Sequence, residues 1–155
     1  MSNIKLNKIF KTVCIASDHA GFDLKEDIKN YLINKKVSIF DLGPYSDHSV
    51  DYPDYASKVL DALLGGNAER GILVCGTGQG MAMSANKVAG VRAAVVSDTF
   101  SAQMAMEHNQ AKILCLGERV VGPSLALACV DTWLAANFQA GRHERRVNKI
   151  EALGQ

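Results

Sequence analysis

No two of the four cysteines in this sequence stand at CxxC spacing, and none shares a zinc-type spacing with a histidine. That excludes a zinc ribbon or finger and a thioredoxin-like redox pair. Three of the four, Cys14, Cys115 and Cys129, sit in apolar runs where a reduced cysteine acts as a small buried hydrophobe. Charge of one sign is also lacking. With 17 basic and 16 acidic side chains the formal net charge is +1, so no global field draws nucleic acid or an acidic membrane. Any anion site must be local. No apolar run is long enough to cross a bilayer. The opening MSNIKLNKIF scatters lysines where a signal peptide has its apolar core, so the expected location is the cytoplasm. Repeats, low-complexity tracts and inter-domain linkers are absent, and 155 residues suit one domain, 1–155.

What is present alternates. Short β-rich runs, Thr12–Ser17, Val37–Asp41, Gly71–Cys75, Arg92–Val96 and Ile113–Leu116, are separated by segments of helical period. Leu24, Ile28, Tyr31 and Leu32 share one helical face. Pro53 opens a helix that carries Tyr55, Val59, Ala62 and Leu63 on one side and stops at Gly65-Gly66-Asn67. Further helices are expected from about Met81, over Ser101–His108, over Pro123–Asn137 and over His143–Leu153. This order predicts an α/β fold, a parallel five-stranded sheet covered by helices on both faces. Leu125–Phe138 is apolar nearly all round, with Asp131 its only charge, which favours packing against another subunit over a central helix beneath the C-terminal one.

Ligands in such folds bind beyond the carboxyl ends of the strands. Asp18-His19, Cys75–Gly80 and Asp98 would gather there. Cys75-Gly76-Thr77-Gly78-Gln79-Gly80 carries the strongest signal. Glycines after a strand let the backbone turn and aim N–H groups into an anion-attracting nest, and those dipoles favour a thiolate at the strand end. The bland alternative is a buried cysteine beside a plain glycine turn. The loop reads GxGxG after the third strand, a poor match to the dinucleotide fingerprint GxGxxG after the first, although Asp98 falls near the place of a ribose-binding acid. An oxidoreductase with a dinucleotide is therefore the runner-up.

His108-Asn109 closes a helix, and capping competes there with proton transfer and hydrogen bonding to substrate. Asp18 has the same ambiguity between helix capping and substrate binding. Arg142 and Arg146 are four apart on one face, suited to a phosphate or equally to a solvated basic patch. His48 and His143 carry no assignment.

Seven segments in order, Ser17-Asp-His-Ala-Gly-Phe, Asp51-Tyr-Pro-Asp-Tyr-Ala, Cys75-Gly-Thr-Gly-Gln-Gly, Ser84-Ala-Asn-Lys, His108-Asn109, Gly117-Glu-Arg-Val-Val-Gly and Gly141-Arg-His-Glu-Arg-Arg-Val, resemble the type B ribose-5-phosphate isomerases. These share a family with the galactose-6-phosphate isomerase subunits. The resemblance runs from about Thr12 to the end, leaving residues 1–11 as an extension without a role. It implies a Rossmann-like α/β/α sandwich forming a homodimer, in some members a homotetramer, with sites across the interface. It also implies aldose–ketose isomerisation in the pentose phosphate pathway, without metal or organic cofactor.

By that resemblance Cys75 is the catalytic base, and Thr77, Gly78 and Gly80, with Gly76, form the loop that stabilises an enediolate. His108 opens the furanose ring, with Asp18 nearby, and Asn109 hydrogen-bonds the substrate oxygens. His19, Arg119, Arg142 and Arg146 hold phosphate and substrate, and Tyr52 lines the pocket. His108, Asn109 and Arg119 would come from the neighbouring subunit. Cys75 together with Met81 places the chain in the cysteine group of the family rather than the glutamate group. Galactose 6-phosphate or allose 6-phosphate is the alternative substrate, and a non-catalytic sugar-phosphate sensor the alternative class.

Overall fold

Runs of Val, Ile, Leu and Cys, bounded by glycine or polar residues, become the strands, because branched side chains pack well on a pleated surface. A computed structural model describes residues 12–154, so the 1–11 extension lies outside the described residues. The strands are β1 (Val13–Ser17), β2 (Ile39–Asp41), β3 (Arg70–Cys75), β4 (Ala93–Val95) and β5 (Ile113–Gly117). All pair in parallel in the order β2-β1-β3-β5-β4. The helices are α1 (Phe22–Asn34), α2 (Tyr52–Leu64), α3 (Gln79–Ala85), α4 (Thr99–Glu107), α5 (Pro123–Ala135) and α6 (Arg142–Ala152).

Alternate strand residues supply two cores. Val13, Ile15, Ile72, Val74, Leu114 and Leu116 pack under α1, α4 and α5, whereas Cys14, Ala16, Leu73, Cys75 and Cys115 pack under α2 and α3. This is the expected three-layer α/β/α sandwich. The central strands β1, β3 and β5 are buried along their length. The edge strands β2 and β4 are only partly covered, and they are shorter than the apolar pattern suggests.

Two helices start two residues earlier than expected. The αL turn at Gly78 opens α3, and Asp98 caps α4. The apolar helix α5 differs more from expectation. Ala126, Cys129, Val130, Trp133 and Leu134 are buried by their own chain, in the core shared with α1 and α4. Neither a second subunit nor α6 is needed to cover them. Arg70, at the start of β3, reaches the C-terminal carbonyls of this helix, donating to Trp133 O at 2.5 Å and to Ala136 O at 2.8 Å. A cation there satisfies acceptors that a helix end leaves open. Burial lowers the Arg70 pKa to about 10.

Lys25 is fully buried and donates to both Asp41 oxygens at 2.8 Å, joining α1 to the end of β2. Burial pushes the Asp41 carboxyl up. Lys25, the Gly43 N–H and Lys29 outweigh burial and hold it below the usual carboxylate range. A carboxylate depressed in the fold adds stability above its unfolded pKa, about 3.9, and that stability is lost as pH falls through the folded value. Lys25→Ala is expected to cost about 1.5–3 kcal/mol at neutral pH, because it removes a charged donor to both oxygens of a partly buried carboxylate that keeps only Lys29 and the Gly43 N–H. It should also flatten the acid limb of the stability profile, as read by urea unfolding at a series of pH values.

Candidate active site

Cys75 is the last residue of β3, where the sheet gives way to the glycine loop. It is 4% exposed, and the Gly78 N–H donates to its Sγ at 3.1 Å. A thiolate accepts such a bond more strongly than a thiol does. Burial pushes the thiols of Cys14, to about 12, and of Cys115 and Cys129 upward, as suits inert core residues.

Each glycine of the loop has its own reason. Gly78 has φ +82°, a left-handed turn that a side chain resists. A Cβ on Gly80 would lie 2.6 Å from the Tyr52 ring, and one on Gly76 would lie 3.4 Å from Arg119 Nη1. Tyr52 and Arg119 therefore stand directly against the loop. Thr77 is exposed, and its Oγ1 accepts from the Gln79 N–H at 3.3 Å.

The loop after β5 is laced to this one. Glu118 N–H donates to Cys75 O at 2.9 Å and Arg119 N–H to Gly76 O at 3.0 Å. Glu118 Oε1 in turn accepts from the Leu24 N–H at 2.5 Å, supplying an anionic cap to α1, which has no side-chain cap from its own N-cap residue. Glu118 escapes a sequence reading because its partner is 94 positions away. Arg119 belongs with the Cys75 loop of its own chain, which corrects the expectation that a neighbouring subunit brings it.

Asp18 is 6% exposed and sits next to Cys75 through its N–H, which donates to Val74 O at 3.1 Å. Its Oδ1 accepts from the Gly21 N–H at 3.0 Å, so one oxygen does the turn-closing work at the head of α1. His19 Nδ1 lies 3.2 Å from both backbone N and O of Val50, tying it to the segment that leads into α2. Asp98 is at the same sheet edge but is committed to α4, accepting from the Ser101 N–H at 2.6 Å. Hydrogen bonds from Ser101 hold its carboxyl below the usual range despite some desolvation. With Asp98 used as a cap and the glycines facing Tyr52 and Arg119, nothing in this loop favours a dinucleotide.

The remaining expected residues lie elsewhere. Because β4 and β5 are parallel, α4 runs back from the carboxyl edge of the sheet to the edge where strands begin. His108 caps its end, and Asn109 O accepts from Arg92 Nε at 2.7 Å, beside the start of β4. Arg142 and Arg146 are exposed on the first turns of α6, close to the same place. A strand rises roughly 3.3 Å per residue, so the six residues of β3 put these groups roughly 16–20 Å from the Cys75 edge. The structure thus brings together Cys75, Gly76–Gly80, Asp18, His19, Tyr52 and Arg119 at one edge. It brings His108, Asn109, Arg142 and Arg146 together at the other.

The second cluster contains a residue without a sequence assignment. The His143 ring stacks on the His108 ring, centroids 4.1 Å apart and planes 10° from parallel. Its signal was the i, i+4 pairing with Val147, the buried stripe of an otherwise charged helix. Among the described residues, no three His, Cys, Asp or Glu side chains group as a metal site requires. No helix among them is long and apolar enough to cross a membrane.

Residues 13–150 match the family model described as Ribose/Galactose Isomerase. The chain belongs to the ribose/galactose isomerase family. It is 46% identical over 145 residues to ribose-5-phosphate isomerase B of Escherichia coli, covering 94% of this chain and 97% of that protein. The crystal structure of a ribose 5-phosphate isomerase from Thermotoga maritima is 50% identical and superposes with a TM-score of 0.90, covering 92% of this chain and 98% of that one. Ribose-5-phosphate isomerase B of Mycoplasma genitalium, solved with bound ribulose-5-phosphate, is 46% identical with a TM-score of 0.85, covering 90% and 93%. Family and fold are those the seven segments implied. The protein is an isomerase of phosphorylated sugars.

Proposed function

We infer that the chain interconverts ribose 5-phosphate and ribulose 5-phosphate, a step of the pentose phosphate pathway, in the cytoplasm and without a cofactor. The observation that carries the chemistry is Cys75 Sγ held by the Gly78 N–H at the mouth of the glycine loop. The Mycoplasma relative's ribulose-5-phosphate complex favours the five-carbon substrate over galactose 6-phosphate or allose 6-phosphate.

His108 assists opening of the furanose, exposing the C1 aldehyde. Cys75 thiolate removes the C2 proton, and the electrons of the C2–H bond move through C1 to the carbonyl oxygen, giving an enediolate. Amide N–H groups of Gly76 to Gly80, with Thr77, face the charge as it develops. The Cys75 thiol returns the proton to C1, a proton passes from O2 to O1, and the ketose results. Asn109 and Asp18 hydrogen-bond the sugar oxygens. His19, Arg119, Arg142 and Arg146 fix the phosphate, and Tyr52 lines the pocket, so binding energy remote from C1 and C2 sets the reacting geometry.

One chain holds the two halves at opposite edges of its sheet, so each complete site needs two copies. The reading is a homodimer, or a homotetramer built from such dimers. Phe100, Val120 and Leu125 are exposed apolar side chains at the Cys75 edge, where a second copy would cover them.

A coupled isomerase assay over five- and six-carbon sugar phosphates tests the substrate. Highest kcat/KM with ribose 5-phosphate is expected, and no turnover of any of them would leave only a sensor. The ring-opening role has its own test. Ribulose 5-phosphate cannot close to a furanose because its terminal oxygen is phosphorylated. His108→Asn is expected to cut ribose 5-phosphate turnover by about 100-fold while sparing solvent deuterium exchange at C1 of ribulose 5-phosphate. Equal losses in both would remove His108 from ring opening.

A further inference from the structure

His143 is 7% exposed, and with Val147 it forms the buried side of α6, while Arg142 and Arg146 flank it on the exposed side. Its ring lies flat on His108. The turn that delivers it is held unusually firmly. Ala140 and Gly141 both have φ +54°, an expensive conformation for alanine that persists only where the surroundings impose it. They do so here, since Gln139 N–H donates to Glu107 O at 3.0 Å and Gln139 Nε2 to Glu107 Oε2 at 2.9 Å, while His143 N–H donates to Ala140 O at 3.0 Å. The start of α6 is thus clasped to the end of α4, and the two histidines face each other across the clasp.

We propose that His143 is the positioning residue for His108: the stacked ring fixes the plane of the ring-opening imidazole and locks it to the helix that carries Arg142 and Arg146. This rests on the reading of His108 given above, and it deepens that reading. An unstacked imidazole at a helix end turns about its side-chain bonds, and a misplacement of 1 Å in a reacting group costs up to about 100-fold in rate. Stacking removes that freedom and places His108 in register with the phosphate. The charges around the pair are Arg142 and Arg146 from α6 and Glu107 from α4, whose carboxylate is occupied by Gln103 and Gln139. Burial, then His108, Arg142 and Arg146, lower the proton affinity of His143.

The test uses the full-length H143A, H143F and H108N variants, with three readouts. These are ribose 5-phosphate turnover, C1 exchange of ribulose 5-phosphate, and the line shape of the His108 ring protons by NMR in free enzyme. H143A is expected to lower turnover by roughly 10- to 100-fold, to leave C1 exchange unchanged, and to broaden the His108 ring signals. H143F keeps a flat ring in the stack and is expected to recover most of the turnover and sharp His108 signals. Unchanged His108 signals in H143A, or an H143F no better than H143A in both turnover and ring signals, would overturn the proposal. Should H143A fail to fold, H143F decides: well-resolved, ordered His108 signals support positioning, and averaged ones overturn it. Failure of the ring-opening reading is separate, because it shows in H108N turnover while the His108 signals still report on the stack.

Discussion

Cys75→Ala is expected to lower kcat for ribose 5-phosphate by about 1,000-fold or more, with the affinity for a non-isomerised sugar phosphate almost unchanged. The size follows from what the sulfur does. In the proposed mechanism it is the one group at the glycine loop that takes a proton from carbon and gives it back, so removing it would abolish both halves of the transfer. The proposed phosphate contacts come from other residues, so binding should survive. C1 exchange of ribulose 5-phosphate should vanish as well, which separates this variant from His108→Asn. Cys75→Ser is the sharper version. It keeps the size of the group and an acceptor for the Gly78 N–H, yet a hydroxyl is far harder to ionise than a thiol. A serine variant with near-normal exchange would mean that the loop, and not the sulfur anion, carries the catalysis. Normal turnover in the alanine variant would end the assignment of the base.

The sheet was legible because parallel strands buried on both faces read as plain apolar runs, as in Val13–Ser17 and Ile113–Gly117. The edge strands were less so, since half-exposed β2 and β4 lose the pattern that marks their ends. The Cys75 cluster of the candidate site is legible for a local reason: one strand end followed by alternating glycines is contiguous in the chain. Arg119 was assigned to the wrong half because its place depends on the pairing of β3 with β5, which brings Gly117 opposite Cys75. The i, i+4 spacing of His143 with Val147 marks it only as buried, because its partner is a ring on another helix and a stack between distant residues leaves no spacing of its own. Asp131 illustrates the same point. As the lone charge of an apolar helix it has no partner legible in the sequence, whereas in the fold it accepts hydrogen bonds from Tyr31 and Lys35 of α1 in its own chain.

Mixing two inactive proteins is expected to restore activity. Cys75→Ala and His108→Asn each disable one of the two clusters that the proposed site combines across two copies. In a homodimer of either variant both sites carry the lesion. In a heterodimer, one site pairs the mutant Cys75 edge with the mutant His108 edge, and the other pairs two intact edges. Co-expression under two different affinity tags and purification through both should give heterodimers with about half the wild-type turnover per dimer, against far lower values for the parents. Were each site built within one chain, every site in the heterodimer would still contain a lesion and turnover would stay at the parental level. The distance across the sheet makes the first outcome the expected one: α4 cannot present His108 to the sulfur of its own chain while β4 and β5 remain parallel. The same logic extends to Arg142 and Arg146, the proposed phosphate ligands. A double variant Arg142→Ala with Arg146→Ala, on the α6 edge, should complement Cys75→Ala in the same way and should fail to complement His108→Asn, because those two lesions fall on the same edge and every heterodimer site would then carry one of them.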